Sequence, residues 1–156
     1  MKLRIFTDGA CSDNPGPGGW AAIMLLRNGN KILSGNEINT TNNRMELFAV
    51  LTALKENINY YYNYDSIEII SDSAYVVNAI NLKWIYKWKM NHWKTWEFEE
   101  IKNKDLWVQV YDALILLKDM NVEFTKIKGH SGNAFNEMAD KEAVRQRDIA
   151  KAKLSE

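Results

Sequence analysis

The chain has 156 residues, of which 46% are hydrophobic and 12% aromatic, a length and composition typical of one globular domain and not of a disordered segment. Its 20 basic and 20 acidic residues cancel in charge, so a nucleic-acid partner would have to be attracted by a local basic patch. One cysteine and two histidines exclude an internal disulfide and a closed zinc site. No apolar run approaches the ~20 residues of a membrane span, and we expect a monomer of the reducing cytoplasm with no membrane partner.

The N-terminal part of the chain predicts an antiparallel meander of three strands, because short apolar or β-branched runs alternate with turn signals. The strands are predicted at residues 3–7, 20–26 and 31–38, with a proline- and glycine-rich loop at 14–19 and a hairpin turn at 28–30.

Helical spacing begins after this meander. An apolar stripe of Leu47, Val50, Leu51, Leu54 and Ile58 predicts the first helix, which starts at residue 43. Further strands are predicted at 67–71 and 122–127, and further helices at 74–80, 106–117 and 136–154. A helix between the third and fourth strands permits a crossover, so the predicted sheet is mixed. We see no repeat or linker and interpret residues 1–156 as a single domain.

Four acidic residues, each in a distinctive local sequence, lie near the ends of these elements. Asp8 and Asp72 each follow a predicted strand, and ligands of open α/β sheets bind beyond the carboxyl ends of strands. Glu46 and Asp140 lie at the edges of the apolar stripes of two helices. Carboxylates repel one another, so a cluster of four indicates bound divalent cations such as Mg²⁺. Paired Mg²⁺ ions are typical of phosphoryl transfer.

Each acid has a simpler explanation when it is taken alone. Asp8 precedes a glycine as in common turns, and Asp72 could cap the helix that follows it. Glu46 could form a capping box with Asn43, and Asp140 could be an ordinary surface acid on a charged helix. The residues by themselves leave these alternatives open.

Two further residues are candidates for chemistry. His130 lies in the loop Lys128-Gly129-His130-Ser131-Gly132, where flanking glycines suit a mobile proton carrier, although a solvated histidine is an equally good explanation. Cys11 either packs as an inert thiol or approaches the backbone of a ligand.

Residues 83–104, called here the Trp/Lys segment, interleave tryptophans with lysines. Aromatic rings stack on bases and lysines follow phosphates, so this segment is a candidate nucleic-acid surface. A helical hairpin with tryptophans in its core is the alternative. Glu97, Glu99 and Glu100 dilute its positive charge.

The ordered set of motifs closely resembles bacterial type 1 ribonuclease H. Eight segments carry the resemblance over nearly the whole chain: DGAC, NPGPGGW, TTNNRME, SDSAYV, WIYKW, NKDLW, KGHSG and NEMAD. The resemblance implies a ribonuclease H-like α/β fold, with a mixed five-stranded sheet in the order 3-2-1-4-5 flanked by helices. It also implies hydrolysis of the RNA strand of RNA/DNA hybrids, leaving 5′-phosphate and 3′-hydroxyl ends.

The resemblance assigns roles to individual residues. Asp8 would bridge two Mg²⁺ ions, which Mn²⁺ could replace, with Asp140 on the ion that activates water and with Glu46 and Asp72 on the other ion. His130 would assist turnover. The implied contacts with the hybrid are Cys11, Asn14, Thr41, Asn42, Asn43, Trp84, Lys87, Trp88, Lys89, Trp93 and Lys94.

Some positions depart from the family pattern. Ala74 replaces a common glutamine, Phe135 stands where proline is common, and the acids of the Trp/Lys segment put its grip on DNA in doubt. The alternatives are a Holliday-junction resolvase, a detached reverse-transcriptase domain, a non-catalytic hybrid-binding module and a structural metal-binding domain. The Trp/Lys segment and the His130 loop argue against the resolvase, and the expected completeness of the chain argues against a detached domain. The four carboxylates argue against a non-catalytic module, and a structural metal-binding domain would not need the Trp/Lys segment.

Overall fold

The computed structural model describes residues 1–129 and 132–155. Five strands and five helices lie in these residues: β1 (Lys2–Cys11), β2 (Gly16–Leu26), β3 (Gly29–Thr40), α1 (Asn42–Asn59), β4 (Ser66–Ser71), α2 (Ala74–Asn81), α3 (Trp84–Met90), α4 (Lys104–Leu116), β5 (Asn121–Lys126) and α5 (Ala134–Leu154).

The strands form one mixed sheet in the order β3-β2-β1-β4-β5. The first three strands pair antiparallel, whereas β4 is parallel to both β1 and β5. The chain reaches β4 only after α1, as a parallel connection requires a crossover. The predicted mixed sheet and its strand order are therefore confirmed.

The boundaries of the meander differ from the prediction. β2 begins at Gly16 and not at residue 20, so most of the expected loop at 14–19 is strand. The backbone of this stretch pairs with β1 and with β3, and the register shifts between Gly16 and Gly18. Glycine has no side chain, so a glycine-rich strand shows no alternation of apolar and polar residues in the sequence. Glycine is also common where a strand is irregular.

The helices cover both faces of the sheet. Consecutive residues of a strand point to opposite faces of the sheet. Ile5 lies in the larger core, to which α1, α2, α3 and α4 also contribute. Phe6 lies in a smaller core on the other face, covered by α5. The predicted apolar stripe of α1 is buried from Leu47 to Leu54, but Ile58 is exposed because it lies at the end of the helix. In the part of the chain that the structure describes, no helix is long and apolar enough to cross a bilayer.

Candidate active site and nucleic-acid interface

Three of the four predicted carboxylates come together at one end of the sheet. Asp8, Glu46 and Asp72 each offer an oxygen that lies within 4.8 Å of the others. Asp8 lies within β1, which continues to Cys11 and does not end at residue 7 as predicted. Asp72 directly follows the parallel neighbour β4, so both acids lie just beyond the last residues that these two strands pair with each other. Glu46 reaches the site from the second turn of α1.

A close approach of α1 to β1 brings Glu46 to Asp8. A Cβ atom at Gly9 would lie only 2.6 Å from the backbone nitrogen of Glu46, which is far inside van der Waals contact. Only glycine therefore lets the helix lie this close to the strand. In the sequence, Asp8 followed by Gly9 indicates a turn. Only the fold shows that Gly9 permits the short distance between α1 and β1.

The local explanations for Glu46 and Asp72 are wrong. Thr41 caps α1, and its Oγ1 accepts a hydrogen bond from the backbone N–H of Arg44 at 3.2 Å. Glu46 thus lies beyond a capping-box position, and its side chain is buried. Ser73 caps α2 in the same way, with its hydroxyl accepting from the N–H of Val76. Neither carboxylate is needed to begin a helix.

The electrostatics of the cluster favour bound cations. Burial, and to a smaller extent the charge of Asp72, raises the pKa of Asp8 to about 7. A hydrogen bond from the Gly9 N–H stabilises the charged form and lowers the pKa, but it does not outweigh these two effects. Burial and the charge of Asp8 raise the pKa of Glu46 well above its usual range. Oε2 of Glu46 is buried and has no hydrogen-bond partner within the described chain. An unpartnered buried carboxylate oxygen beside two other carboxylates fits a hard divalent cation.

Asp140 lies half-buried on α5 and does not belong to this group of three. Its charge nevertheless contributes to raising the pKa of Asp8, so the two carboxylates interact across the site. His130, the predicted proton carrier, lies outside the residues that the structure describes. Gly129, directly before it, contacts the carboxylate of Asp72, which would lie 2.9 Å from a Cβ atom at that position.

The predicted contacts near Asn14 and Asn42 are joined to each other. The Asn42 N–H donates to Oδ1 of Asn14 at 2.7 Å, which holds the turn between β1 and β2 against the start of α1. The side chains of Asn14, Asn42 and Asn43 are exposed, and Thr41 is half-buried as the helix cap. This arrangement presents polar side chains at the start of α1, one turn before Glu46.

Cys11 lies half-buried behind this surface. Its thiol donates to backbone oxygens, the nearest being the Thr40 carbonyl at 3.4 Å, and burial raises its pKa. The thiol thus packs between strands, and contact of Cys11 with the backbone of a ligand stays a prediction.

The Trp/Lys segment divides into buried and exposed aromatic residues. Trp93 is only 8% exposed and packs edge-on against Tyr111, so its ring lies in the core and not on the predicted binding surface. Trp88 is half-buried against Trp107. Trp84 is 38% exposed.

Residues of this segment line an open cavity of about 540 Å³. Among its lining residues are Trp84, Trp88, Trp96, Met90, Lys87 and Lys94. None of the glutamates of the segment lines this cavity, and Glu100 pairs instead with Lys104 at 3.1 Å. The acidic residues therefore dilute the formal charge of the segment without entering its cavity.

A hydrogen-bonded network, for which the sequence contains no local signal, joins the starts of α1, α2 and α4. Arg44, near the start of α1, pairs with Asp105 at 2.7 Å and donates to Oδ1 of Asn103 at 3.3 Å. The Asn103 amide and Nε1 of Trp107 both donate to the Tyr75 hydroxyl, at 3.0 and 2.8 Å. These contacts join residues more than twenty positions apart in the chain, so no spacing pattern predicts them.

Comparison with protein families gives one match that spans most of the chain. The RNase H family model matches residues 1–148. A protein named Ribonuclease H from Caldicellulosiruptor saccharolyticus is 52% identical over 142 residues, covering 89% of this chain and 91% of that protein.

Solved structures have the same fold. LC9-RNase H1, described as a type 1 RNase H with the type 2 active-site motif, has a TM-score of 0.79 and 26% identity, covering 96% of this chain and 73% of that one. LC11-RNase H1 in complex with RNA/DNA hybrid has a TM-score of 0.68 at 22% identity, covering 95% of this chain and 98% of that one.

Proposed function

Because the chain belongs to the ribonuclease H family, we propose that this nuclease hydrolyses the RNA strand of RNA/DNA hybrids in a reaction that depends on divalent cations. The reaction is displacement at phosphorus by water. A bond forms between the water oxygen and phosphorus as the water loses a proton, and the bond from phosphorus to the 3′ oxygen breaks as that oxygen gains one. The products carry 5′-phosphate and 3′-hydroxyl ends.

The observation that carries the proposal is the buried cluster of Asp8, Glu46 and Asp72. Burial and the repulsion between neighbouring carboxylates raise the pKa values of Asp8 and Glu46, so this cluster is costly to keep together in the absence of a cation. A structural role alone gives no reason to retain an unpartnered carboxylate oxygen in the interior.

The donors are oxygens only, which suits Mg²⁺ and, as a substitute, Mn²⁺. Asp8, Glu46 and Asp72 are the residues that would hold the cation, and Asp140 would contribute to the site of a second one. The chemistry supplied by cations in such a site is neutralisation of charge on the phosphate and activation of water.

The surface around the cluster supports a duplex substrate. Asn14, Asn42 and Asn43 present exposed polar side chains at the start of α1, the helix that carries Glu46. The Trp/Lys segment presents lysines and aromatic rings. We propose that the asparagines contact the groove of the hybrid and that Lys87, Lys89 and Lys94 follow the DNA strand. Groups that pair with a 2′-hydroxyl would be left without a partner on DNA, and this is a strong form of discrimination.

His130 is proposed to assist proton transfer or product release, and the enzyme is proposed to act in the cytoplasm. Thr41 caps α1, and at a helix N-terminus this position suits contact with a phosphate of the DNA strand.

One assay tests the proposal directly. End-labelled RNA/DNA hybrid, double-stranded RNA and double-stranded DNA are each incubated with the protein in Mg²⁺ or in EDTA. We expect cutting of the RNA strand of the hybrid alone, and only with Mg²⁺. Undiminished cutting in EDTA, or equal cutting of double-stranded DNA, would refute it.

A further inference from the structure

We propose that Arg147, on α5, binds a backbone phosphate of the RNA strand and so adds a cationic contact on the side of the active site away from the Trp/Lys segment. This inference rests on the proposed function, which brings the RNA strand to the carboxylates. Arg147 lies outside the motifs that resemble the ribonuclease H family, since the last of them ends at Asp140.

The helix α5 places Arg147 in line with Asp140. The two residues are seven positions apart in this helix. Seven residues make nearly two full turns, so the two side chains leave α5 on the same side, about 10 Å apart along its axis. Both residues are half-buried and flank the stripe, including Ala143, that packs on the sheet.

The backbone of α5 sets Arg147 beside the end of β1. A Cβ atom at Gly19 would lie 2.4 Å from the backbone nitrogen of Arg147, so the helix lies directly on β2 at this point. Gly19 pairs with Ala10 of β1, and the neighbouring Gly18 pairs with Cys11. Arg147 is therefore one strand away from the last residues of β1.

Two charge interactions follow one another along β1 and α5. Burial and neighbouring charges, among them that of Asp140, raise the pKa of Asp8 to about 7. Burial raises the pKa of the Cys11 thiol, whereas the positive charge of Arg147 lowers it. Cys11 follows Asp8 by three residues, or about 10 Å of strand, and this matches the spacing of Arg147 from Asp140. Arg147 thus lies beside Cys11 as Asp140 lies beside Asp8.

This position identifies the RNA strand as the partner. In the proposed reaction the strand that is cut places a phosphate at Asp8 and Asp140, and its backbone continues past that point. The Trp/Lys segment packs on the face of the sheet that holds the larger core, whereas α5 covers the other face. A phosphate that reaches Arg147 therefore belongs to the cleaved strand and not to the DNA strand on the segment.

The guanidinium of Arg147 is available to a phosphate. Its present partner is the adjacent Asp148, at 3.3 Å, and the Asp148 side chain is 61% exposed. An exposed ion pair of this kind contributes little to stability, so a phosphate can replace the carboxylate at low cost. The planar fork of arginine donates two parallel hydrogen bonds to phosphate oxygens, which favours phosphate as the ligand.

Binding can be measured without cleavage, by titrating the metal-free protein in EDTA with a short RNA/DNA hybrid over a range of salt concentrations. Arg147→Ala should raise Kd by about 3- to 10-fold at ~50 mM salt and flatten the slope of log affinity against log salt by about 0.7–0.9. Arg147→Lys keeps the charge and should keep the slope. Should Arg147→Ala lower the thermal midpoint in EDTA, Arg147→Gln, which keeps a long side chain, takes its place.

Arg145→Ala is the matched control. Arg145 lies on the same helix, but two positions along the chain turn its side chain to the opposite side of α5, where it is exposed and pairs with Glu142 at 2.8 Å. This variant removes the same charge from the protein and should change Kd and the salt slope much less.

Neutral methylphosphonate linkages locate the contact on the hybrid. One such linkage at a time replaces a phosphate of the RNA strand or of the DNA strand, with a 2′-O-methyl group on the adjacent RNA sugar in both the test and the reference hybrid. At one RNA linkage near the point of cleavage the wild type should lose affinity, whereas Arg147→Ala should lose no more. Asp148→Asn removes the competing carboxylate and should tighten binding only when Arg147 is present.

The outcomes separate this inference from the proposed function. Equal salt slopes for the wild type and Arg147→Ala, an equal loss of affinity in Arg145→Ala, or a methylphosphonate effect confined to the DNA strand would overturn the assignment of Arg147 while hybrid cleavage stands. A wild-type protein that binds the hybrid through Arg147 but does not cut it in Mg²⁺ would instead refute the proposed function.

Discussion

The carboxylate of Asp72 lies directly against Gly129, so closely that a Cβ atom at residue 129 would be 2.9 Å from Oδ2 of Asp72. Gly129 follows β5, the strand that pairs with β4, and its lack of a side chain leaves room for the carboxylate. The glycine therefore helps to define where one ligand of the proposed cation site can be.

Gly129→Ala should weaken cation binding without unfolding the protein. The atom that would be displaced is the end of the Asp72 side chain, and this carboxylate can rotate away at little cost in stability. We expect the Mg²⁺ concentration for half-maximal activity to rise several-fold while the thermal midpoint changes little. Lys128→Ala, an exposed change in the preceding residue, is the control. An unchanged Mg²⁺ requirement would show that this contact does not position Asp72.

The metal-free protein should lose stability as the pH rises. Asp8 has a pKa of about 7 in the folded state against an ordinary value of 3.8. Between these values the folded state binds the proton that the unfolded chain has released, so the free energy of unfolding falls with increasing pH and levels off above about pH 7. Thermal melts in EDTA from about pH 4 to about pH 8 measure this change.

Asp8→Asn should flatten that pH dependence and abolish activity. The variant removes the titrating group and one repulsive charge, so its thermal midpoint in EDTA at about pH 8 should exceed that of the wild type. Mg²⁺ should raise the wild-type midpoint, since it binds only the folded state, and should raise that of Asp8→Asn less. A wild-type midpoint that is flat across this range would contradict the assignment.

Replacing Lys87, Lys89 and Lys94 together with alanine should raise KM and leave kcat nearly unchanged. Binding by these lysines is the same in the ground and transition states. The slope of log affinity against log salt should flatten by up to ~0.9 for each phosphate that the variant no longer neutralises. Lys55, Lys118 and Lys151, exposed lysines outside the segment, provide a control triple of equal charge. Equal effects of the two triples would show that the segment has no special role.

We expect Trp93→Ala to lower mainly the stability of the fold and Trp84→Ala to raise mainly KM. Trp93 is 8% exposed and packs on Tyr111, so its truncation should cost about 3–5 kcal/mol of stability. Trp84 is 38% exposed and should affect KM with a smaller loss of stability. Denaturant unfolding and steady-state kinetics on both variants make the comparison. A KM effect in Trp93→Ala without any loss of stability would contradict its assignment to the core.

Tyr75→Phe should destabilise the protein because it leaves the indole N–H of Trp107 without its hydrogen-bond acceptor. Nε1 of Trp107, a fully buried residue, donates to the Tyr75 hydroxyl at 2.8 Å, and an unsatisfied buried donor costs about 1–3 kcal/mol. Tyr86→Phe removes a hydroxyl from a more exposed ring and should cost much less. Similar unfolding free energies for the two variants would argue against the network.

The crossover was predictable because hydrophobic alternation, helical spacing and turn residues are local signals, and the strand order was predictable because the motifs resemble a known family. The start of β2 was not, since glycines in residues 16–19 have no side-chain pattern and only pairing with β1 and β3 makes them a strand. The end of the apolar stripe of α1 also differs from the prediction, because the exposure of Ile58 depends on where the core stops.

The sequence by itself determined the family, and with it four acids in order along the chain and a Trp/Lys segment. It did not determine which acids share a site, because that depends on parallel pairing of β1 with β4 and on the approach of α1 to Gly9. Tertiary structure alone excluded the capping roles of Glu46 and Asp72, buried Trp93 and left Trp96 at an open cavity. The reason is physical: residue types fix what chemistry a side chain can perform, whereas distances, burial and the resulting pKa values arise only when segments far apart in the chain pack together.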